Sequence, residues 1–288
     1  MTEDEFRQEL KLILSEYRLH IPYREDGLFT EFLPKGYRAM TLTCVPEELF
    51  YTALFVKCNL GMFITLIDDF ADNPSLRNRK LLDKLYRIPF DDEFIEFDGC
   101  SQKERGICEL ALAIRANMKR HIRKLPGFLT LYDSFKFDFE EVMRANAYSE
   151  LITDRPDIVN PQECKRYGPY NMGMVLAGMI DLMCVPEFTD PLGKLREVFL
   201  LGQRHGRLSN LLSTLKREQN ESDQTNELVA LSMFHGEAIQ SQIDAAETEM
   251  EDLLNELSKK HLSQFDLNSY INGLRILHDL HVAMIGRI

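Results

Sequence analysis

Asp68-Asp69-Phe70-Ala71-Asp72 places three carboxylates within five residues, directly behind the apolar run Leu49–Ile67, in which Lys57 is the only charged residue. The run has the length of a helix and shows no strand-like alternation. In a helix, Asp68 and Asp72 lie one turn apart, about 6 Å along the axis and about 40° around it. Carboxylates so placed at the end of a buried helix repel each other and favour a bound cation. Oxygen-only ligands suit a hard one such as Mg²⁺. The local sequence is equally compatible with a solvated acidic cap.

A second oxygen-rich group lies far downstream in Asn210-Leu211-Leu212-Ser213-Thr214-Leu215-Lys216-Arg217-Glu218. Asn210, Thr214 and Glu218 stand at i, i+4 and i+8, one stripe that drifts by about 80° over two helical turns. An amide oxygen, a hydroxyl and a carboxylate on one stripe make a second site for a hard cation. Two such stripes on facing helices could clamp several Mg²⁺ ions around a diphosphate.

Together these groups resemble the signatures of the class I terpene synthases (terpene cyclases). Asp68-Asp69-Phe70-Ala71-Asp72 is similar to the aspartate-rich motif DDxxD, and Asn210, Thr214 and Glu218 are similar to the NSE/DTE motif with Thr in the hydroxyl place. The resemblance implies an all-α chain: one catalytic α domain over residues 1–288, of the isoprenoid-synthase type, with about ten helices around a central apolar cavity. It implies a carbon–oxygen lyase that ionises a linear prenyl diphosphate with three Mg²⁺ ions and cyclises the cation, farnesyl diphosphate being favoured and geranylgeranyl diphosphate the other candidate. A chain-elongating prenyl diphosphate synthase and a non-catalytic helical relative are the alternatives.

The same resemblance assigns roles. Asp68, Asp72, Asn210, Thr214 and Glu218 are the expected metal ligands, with Asp69 orienting. Arg166, 44 residues before Asn210 and just ahead of Gly168-Pro169, takes the place of the diphosphate-sensing arginine, with Lys165 as the competing choice. Asp68, Arg166, Asn210 and Glu218 form the expected catalytic set. Arg217 and Arg287 are further diphosphate contacts, although Ile288 stands where many microbial members carry tyrosine. Expected cavity residues are Phe55, Asn59 and Phe63 on the aspartate helix, Phe135, Phe139 and Met143, then Tyr170 and Met174 around the break, and Met284. Thr65 and Ile64 occupy places where the family often carries aromatics.

Composition bounds these readings. The chain has 288 residues, 44% hydrophobic, and a net charge of −12. That size supports a substantial core. The acidic balance disfavours nucleic acid and anionic membranes as partners. Binding of an anionic diphosphate then requires metal ions and arginines that invert the local field. Six cysteines without CxxC spacing read as free thiols of a cytoplasmic protein. The start Met1-Thr2-Glu3-Asp4-Glu5 lacks the basic, apolar character of a signal peptide. Val45–Ile67 comes nearest to a membrane span but contains Glu47, Glu48 and Lys57. Oligomeric state is left open, a homodimer included.

Along the chain, helices are expected over 3–19, from Pro46 to the aspartates, 77–87, 102–124, 128–152, 162–184 with an interruption near Gly168-Pro169 and Gly173, 191–218, 227–260 and 265–285. Residues 20–44 read as irregular. Residues 89–99 read as an acidic loop and 219–226 as a polar linker. His278 and His281, at i and i+3, read as packing or surface residues.

Overall fold

A computed structural model describes residues 1–22, 26–71, 78–88, 99–218, 226–236 and 238–283; of Arg217 it describes the backbone alone. Asp72, Met284 and Arg287, the acidic loop up to residue 98, and most of the 219–226 linker lie outside the described residues. Within them there are twelve α-helices and no strand.

The apolar run forms α3 (Glu47–Ala71), and 18 of its 25 residues are buried. So complete a burial leaves no polar face, which is why the run reads as continuously apolar rather than amphipathic. By length and composition α3 could cross a membrane, the one such helix among the described residues; here it is enclosed by protein. Its neighbours are α1 (Glu3–His20), α2 (Leu33–Ala39), α4 (Arg79–Arg87), α5 (Gln102–Ile122), α6 (Phe128–Asp154) and α8 (Met174–Leu182). α1 shows how local sequence sets these elements. Thr2 and Glu5 form a capping box, and Phe6, Leu10, Ile13, Leu14 and Tyr17 make the buried stripe.

The second hub is α9 (Leu192–Glu218), which packs on α8, α10 (Glu227–His235), α11 (Ile239–Ser258) and α12 (Leu267–Ala283). α7 (Pro161–Tyr167) is separated from α8 by a 3₁₀ turn over Gly168–Met172 and by Gly173, whose φ is +59°. The expected interruption is thus present.

Two expectations are corrected. Residues 20–44 are not irregular throughout: a π-helical turn at Leu28–Phe32 runs into α2. Pro34 is tolerated there because first-turn N–H groups have no intrahelical acceptor. Residues 227–260 are two helices, not one, because Gly236 adopts a left-handed φ of +72° and ends α10.

Lys57, the charge inside the apolar run, pairs with Asp181 of α8. Its Nζ donates to Asp181 Oδ1 at 2.7 Å and to Thr41 Oγ1 at 2.8 Å. Asp181 Oδ2 accepts the Leu42 N–H at 3.0 Å. Both charged side chains are 1% exposed, so α2, its following turn, α3 and α8 are fixed through one desolvated pair. Lys57→Met should cost about 3–5 kcal/mol, because it strands a buried carboxylate. Urea unfolding of the variant measures this; an unchanged midpoint would contradict it.

α9 and α12 share a buried histidine cluster. Ser209 Oγ lies 2.8 Å from both His278 Nδ1 and His281 Nδ1. A hydroxyl carries one proton, so it can donate to no more than one of these ring nitrogens and the other imidazole must present an Nδ1–H to it. Burial, with His278 adding a like charge, pushes His205 down to about 4 and His281 down to about 3. A base depressed by folding takes up its proton first in the unfolded chain. Stability is therefore full above pH about 6.5 and falls as the pH drops toward about 4. Urea midpoints between pH 7.5 and 4.5 should decrease, and His205→Gln should flatten that slope.

Candidate active site

The two hub helices carry the two oxygen-rich groups at their C-terminal ends. Asp68 sits half-buried in the last turn of α3, and Asp69 beside it is 8% exposed, buried rather than solvated. On α9, the Thr214 hydroxyl donates to the Asn210 carbonyl at 3.0 Å and keeps its lone pairs. Glu218 Oε2 accepts from Asn226 Nδ2 at 2.8 Å. Asn226 is also the N-cap of α10, accepting the Leu228 N–H at 3.0 Å. The residue that closes the 219–225 segment is thereby tied to the end of the stripe.

Arg207 links the two ends electrostatically. Its Nε and Nη2 donate to Glu227 Oε1 at 3.1 and 2.6 Å, and its Nη1 reaches Asn210 Oδ1 at 3.4 Å. Burial works against its charge, yet the carboxylates of Glu227, Glu218 and Asp68 outweigh that cost and hold the guanidinium above its ordinary range. Glu227 is the direct partner of this half-buried cation, with Glu218 and Asp68 adding negative charge at longer range. The sequence reading missed Arg207 and Glu227. The i, i+3 spacing of Arg207 to Asn210 puts the two on one face but does not reveal that Glu227 of α10 meets it.

The break between α7 and α8 fills the space beside this cluster. A Cβ on Gly168 would collide with Glu227 Oε1, one on Gly173 with the Ile64 side chain, and one on Gly206 with Met174 Sδ. Ile64 is one turn before Asp68 on α3. Val175 N–H donates to Gln203 Oε1 on α9 at 3.1 Å. Glycine at these three positions lets the break approach α3, α9 and α10 at once.

The other expected residues distribute as follows. Arg166 is exposed on α7, its guanidinium 5.2 Å over the ring of Tyr167. The competing Lys165 is also exposed and lies 3.6 Å from Glu249. Tyr170 is half-buried and packs against the core, and burial pushes its hydroxyl up. Met174 is buried against α9. Phe55 points elsewhere: its ring meets Phe6 of α1 at 6.4 Å and His121 of α5 at 5.0 Å. Asn59 is fully buried, donating to the Phe55 carbonyl at 2.9 Å, while its Oδ1 has no hydrogen-bond partner among the described residues. Phe63, Phe135 and Phe139 stack edge-to-face at 5.8 and 6.0 Å and line a groove beside α5.

Among the described residues no group of three or more His, Cys, Asp or Glu side chains is arranged to hold a metal ion. The donors on the stripes are nonetheless all oxygens: one carboxylate from α3, and an amide, a hydroxyl and a carboxylate from α9. That chemistry fits Mg²⁺.

The all-α arrangement with an interrupted helix between the two hubs is the terpene synthase fold. Among solved structures, the chain is similar to isoprene synthase from grey poplar leaves (Populus x canescens) in complex with three Mg²⁺ ions and dimethylallyl-S-thiolodiphosphate. The TM-score is 0.67 and the identity 12%, over 95% of this chain and 53% of that one. A second structure of isoprene synthase from the same source gives 0.67 and 12% over 96% of this chain and 52% of that chain. The chain thus spans about half the length of these relatives. No protein-family model matches the sequence, and no curated protein matches it.

Glu227→Gln should cost about 2 kcal/mol, since it weakens charge-assisted hydrogen bonds to a buried guanidinium. A thermal melt that leaves the variant level with the parent would show that Arg207 is adequately held by Asn210, Glu218 and Asp68 alone.

Proposed function

We propose that the protein is a Mg²⁺-dependent class I terpene synthase acting on a linear prenyl diphosphate, with farnesyl diphosphate favoured. The feature that carries this reading is the pair of oxygen-bearing groups at the C-terminal ends of the two hub helices, Asp68 on α3 and Asn210, Thr214 and Glu218 on α9, with Arg207 held beside the second by Glu227 and Asn210. The likeness in fold to an isoprene synthase whose structure holds Mg²⁺ and a thiolodiphosphate supports the cofactor and the substrate class.

Asp68, Asn210, Thr214 and Glu218 would hold Mg²⁺, with Asp72 extending the aspartate set, and the bound metal supplies Lewis-acid stabilisation of the diphosphate. Arg207 donates N–H groups to diphosphate oxygens, partly exchanging its bonds to Glu227 for them. The carbon–oxygen bond breaks heterolytically, and the diphosphate leaves with the electron pair. Glu227 keeps Arg207 oriented through that change. Arg166, Arg217 and Arg287 are additional diphosphate contacts in this reading. Apolar side chains at the break, Ile64 and Met174 among them, exclude water from the allylic cation until it cyclises and loses a proton.

Incubation with Mg²⁺ and C10, C15, C20 or C25 diphosphates should release inorganic diphosphate and a terpene hydrocarbon or alcohol, read by mass spectrometry. Asp68→Ala, Asn210→Ala and Arg207→Ala should each lower kcat at least about 100-fold with unchanged circular dichroism. Near-normal turnover in Asp68→Ala or Asn210→Ala would refute the assignment. Formation of longer diphosphates when isopentenyl diphosphate is added would make it a chain-elongating synthase instead.

A further inference from the structure

We infer that Asn226 is a positioning residue: its amide holds the Glu218 carboxylate where it can join Asn210 and Thr214 on one divalent cation. Asn226 lies outside both oxygen-rich motifs, and its role deepens the proposed one of Glu218 as a metal ligand, on which it rests.

Asn226 is 1% exposed, and its side chain carries three hydrogen bonds. Its Oδ1 accepts the Leu228 N–H at 3.0 Å and caps α10. Its Nδ2 donates to the Leu211 carbonyl at 3.0 Å and to Glu218 Oε2 at 2.8 Å. Serine, threonine and aspartate cap a helix about as well as asparagine. None of them adds an NH₂ group with two donors. The cap alone therefore does not require this residue type, whereas the two bonds to α9 do.

The i, i+8 spacing gives those bonds their use. Asn210 and Glu218 stand about 12 Å apart along the axis of α9. Mg²⁺ holds its oxygens at about 2.0–2.1 Å, so ligands on such a stripe must converge through their side chains. One nitrogen bonds both Leu211 and Glu218. The Glu218 carboxylate is thus held within two hydrogen-bond lengths of the carbonyl of the residue after Asn210. It is drawn back along the helix toward the other two donors. A neutral amide orients a ligating carboxylate without bringing a countercharge that would compete with the metal ion. The next residue, Glu227, holds Arg207, whose Nη1 reaches Asn210 Oδ1 at 3.4 Å. The cap of α10 and the residue after it therefore set the two ends of the stripe.

Electron paramagnetic resonance of Mn²⁺, which takes the same oxygen ligands as Mg²⁺, tests this on the full chain with inorganic diphosphate present. Asn226→Ser keeps a capping oxygen and removes the amide. It should weaken Mn²⁺ binding about tenfold or more, the loss expected when a ligating carboxylate is deprived of its partner. Glu218→Gln should weaken binding as well. Adding Asn226→Ser to Glu218→Gln should cost nothing further, because both act through one carboxylate. Asn160→Ser is the control, since Asn160 caps α7 and its Nδ2 donates to Glu163 Oε2 at 2.7 Å, the same local chemistry outside the stripe. It should bind Mn²⁺ as the parent does. In turnover, Asn226→Ser should raise the Mg²⁺ concentration that gives half the maximal rate and recover most of that rate at saturating Mg²⁺, which a merely structural loss would not. Where the serine variant melts lower than the parent, Asn226→Thr, which also keeps a capping oxygen, takes its place. Parent-like Mn²⁺ binding by Asn226→Ser beside a weakened Glu218→Gln, or losses that multiply in the double variant, would overturn the role of Asn226 alone. No Mn²⁺ binding by the parent, or none lost in Glu218→Gln, would overturn the metal site and this role together.

Discussion

A helix buried on every side that ends in adjacent carboxylates poses an electrostatic problem, and the architecture around it answers that problem. Burial of α3 supplies a large part of the hydrophobic driving force, since full burial of each large apolar side chain is worth about 1.5–3 kcal/mol. The same burial brings Asp68 and Asp69 into a poorly solvated position, where negative charge is stable only beside positive charge. The countercharge comes from α9 through Arg207, itself shared among Glu227, Glu218 and Asp68.

The break between α7 and α8 makes that convergence sterically attainable. Three glycines sit where a methyl group would strike Glu227, Ile64 or Met174. A continuous helix through this region would keep Gly168 and Gly173 from facing α10 and α3 at once. The left-handed Gly173 redirects the chain so that α8 starts against α9, held by Gln203. The buried Lys57–Asp181 pair then fixes α8 to α3 from the opposite end. Position at the site is thus set by packing and one ion pair some distance away, and the polar groups of the site itself remain able to change partners.

Charge is distributed unevenly. The chain is strongly acidic overall, yet Lys57 is buried against Asp181 and the half-buried Arg207 lies beside Asn210 and Glu227. Such cations oppose the net charge locally. Net charge bears on solubility and long-range encounter, whereas recognition of an anion is decided by the few groups within several ångströms of it.

The helical class, the boundaries of α1, α3, α5 and α6, and the two oxygen-bearing stripes were legible from residue order, because a 3.6-residue period, capping groups and glycine or proline breaks are local properties of the chain. Residues 20–44 and 227–260 were misread because Pro34 and Gly236 each admit two local outcomes, and tertiary packing chose between them. Asp68, Asn210, Thr214 and Glu218 could be picked out as candidates from their spacing together with the family resemblance. Arg207, Glu227 and the exposure of Arg166 could not, since spacing fixes which residues share a face and says nothing of which other helix that face meets. Likewise Phe55 and Phe63, two turns apart on one helix, look alike in sequence. Only the neighbours that α3 acquires on folding send Phe55 toward α1 and α5 and Phe63 toward α6.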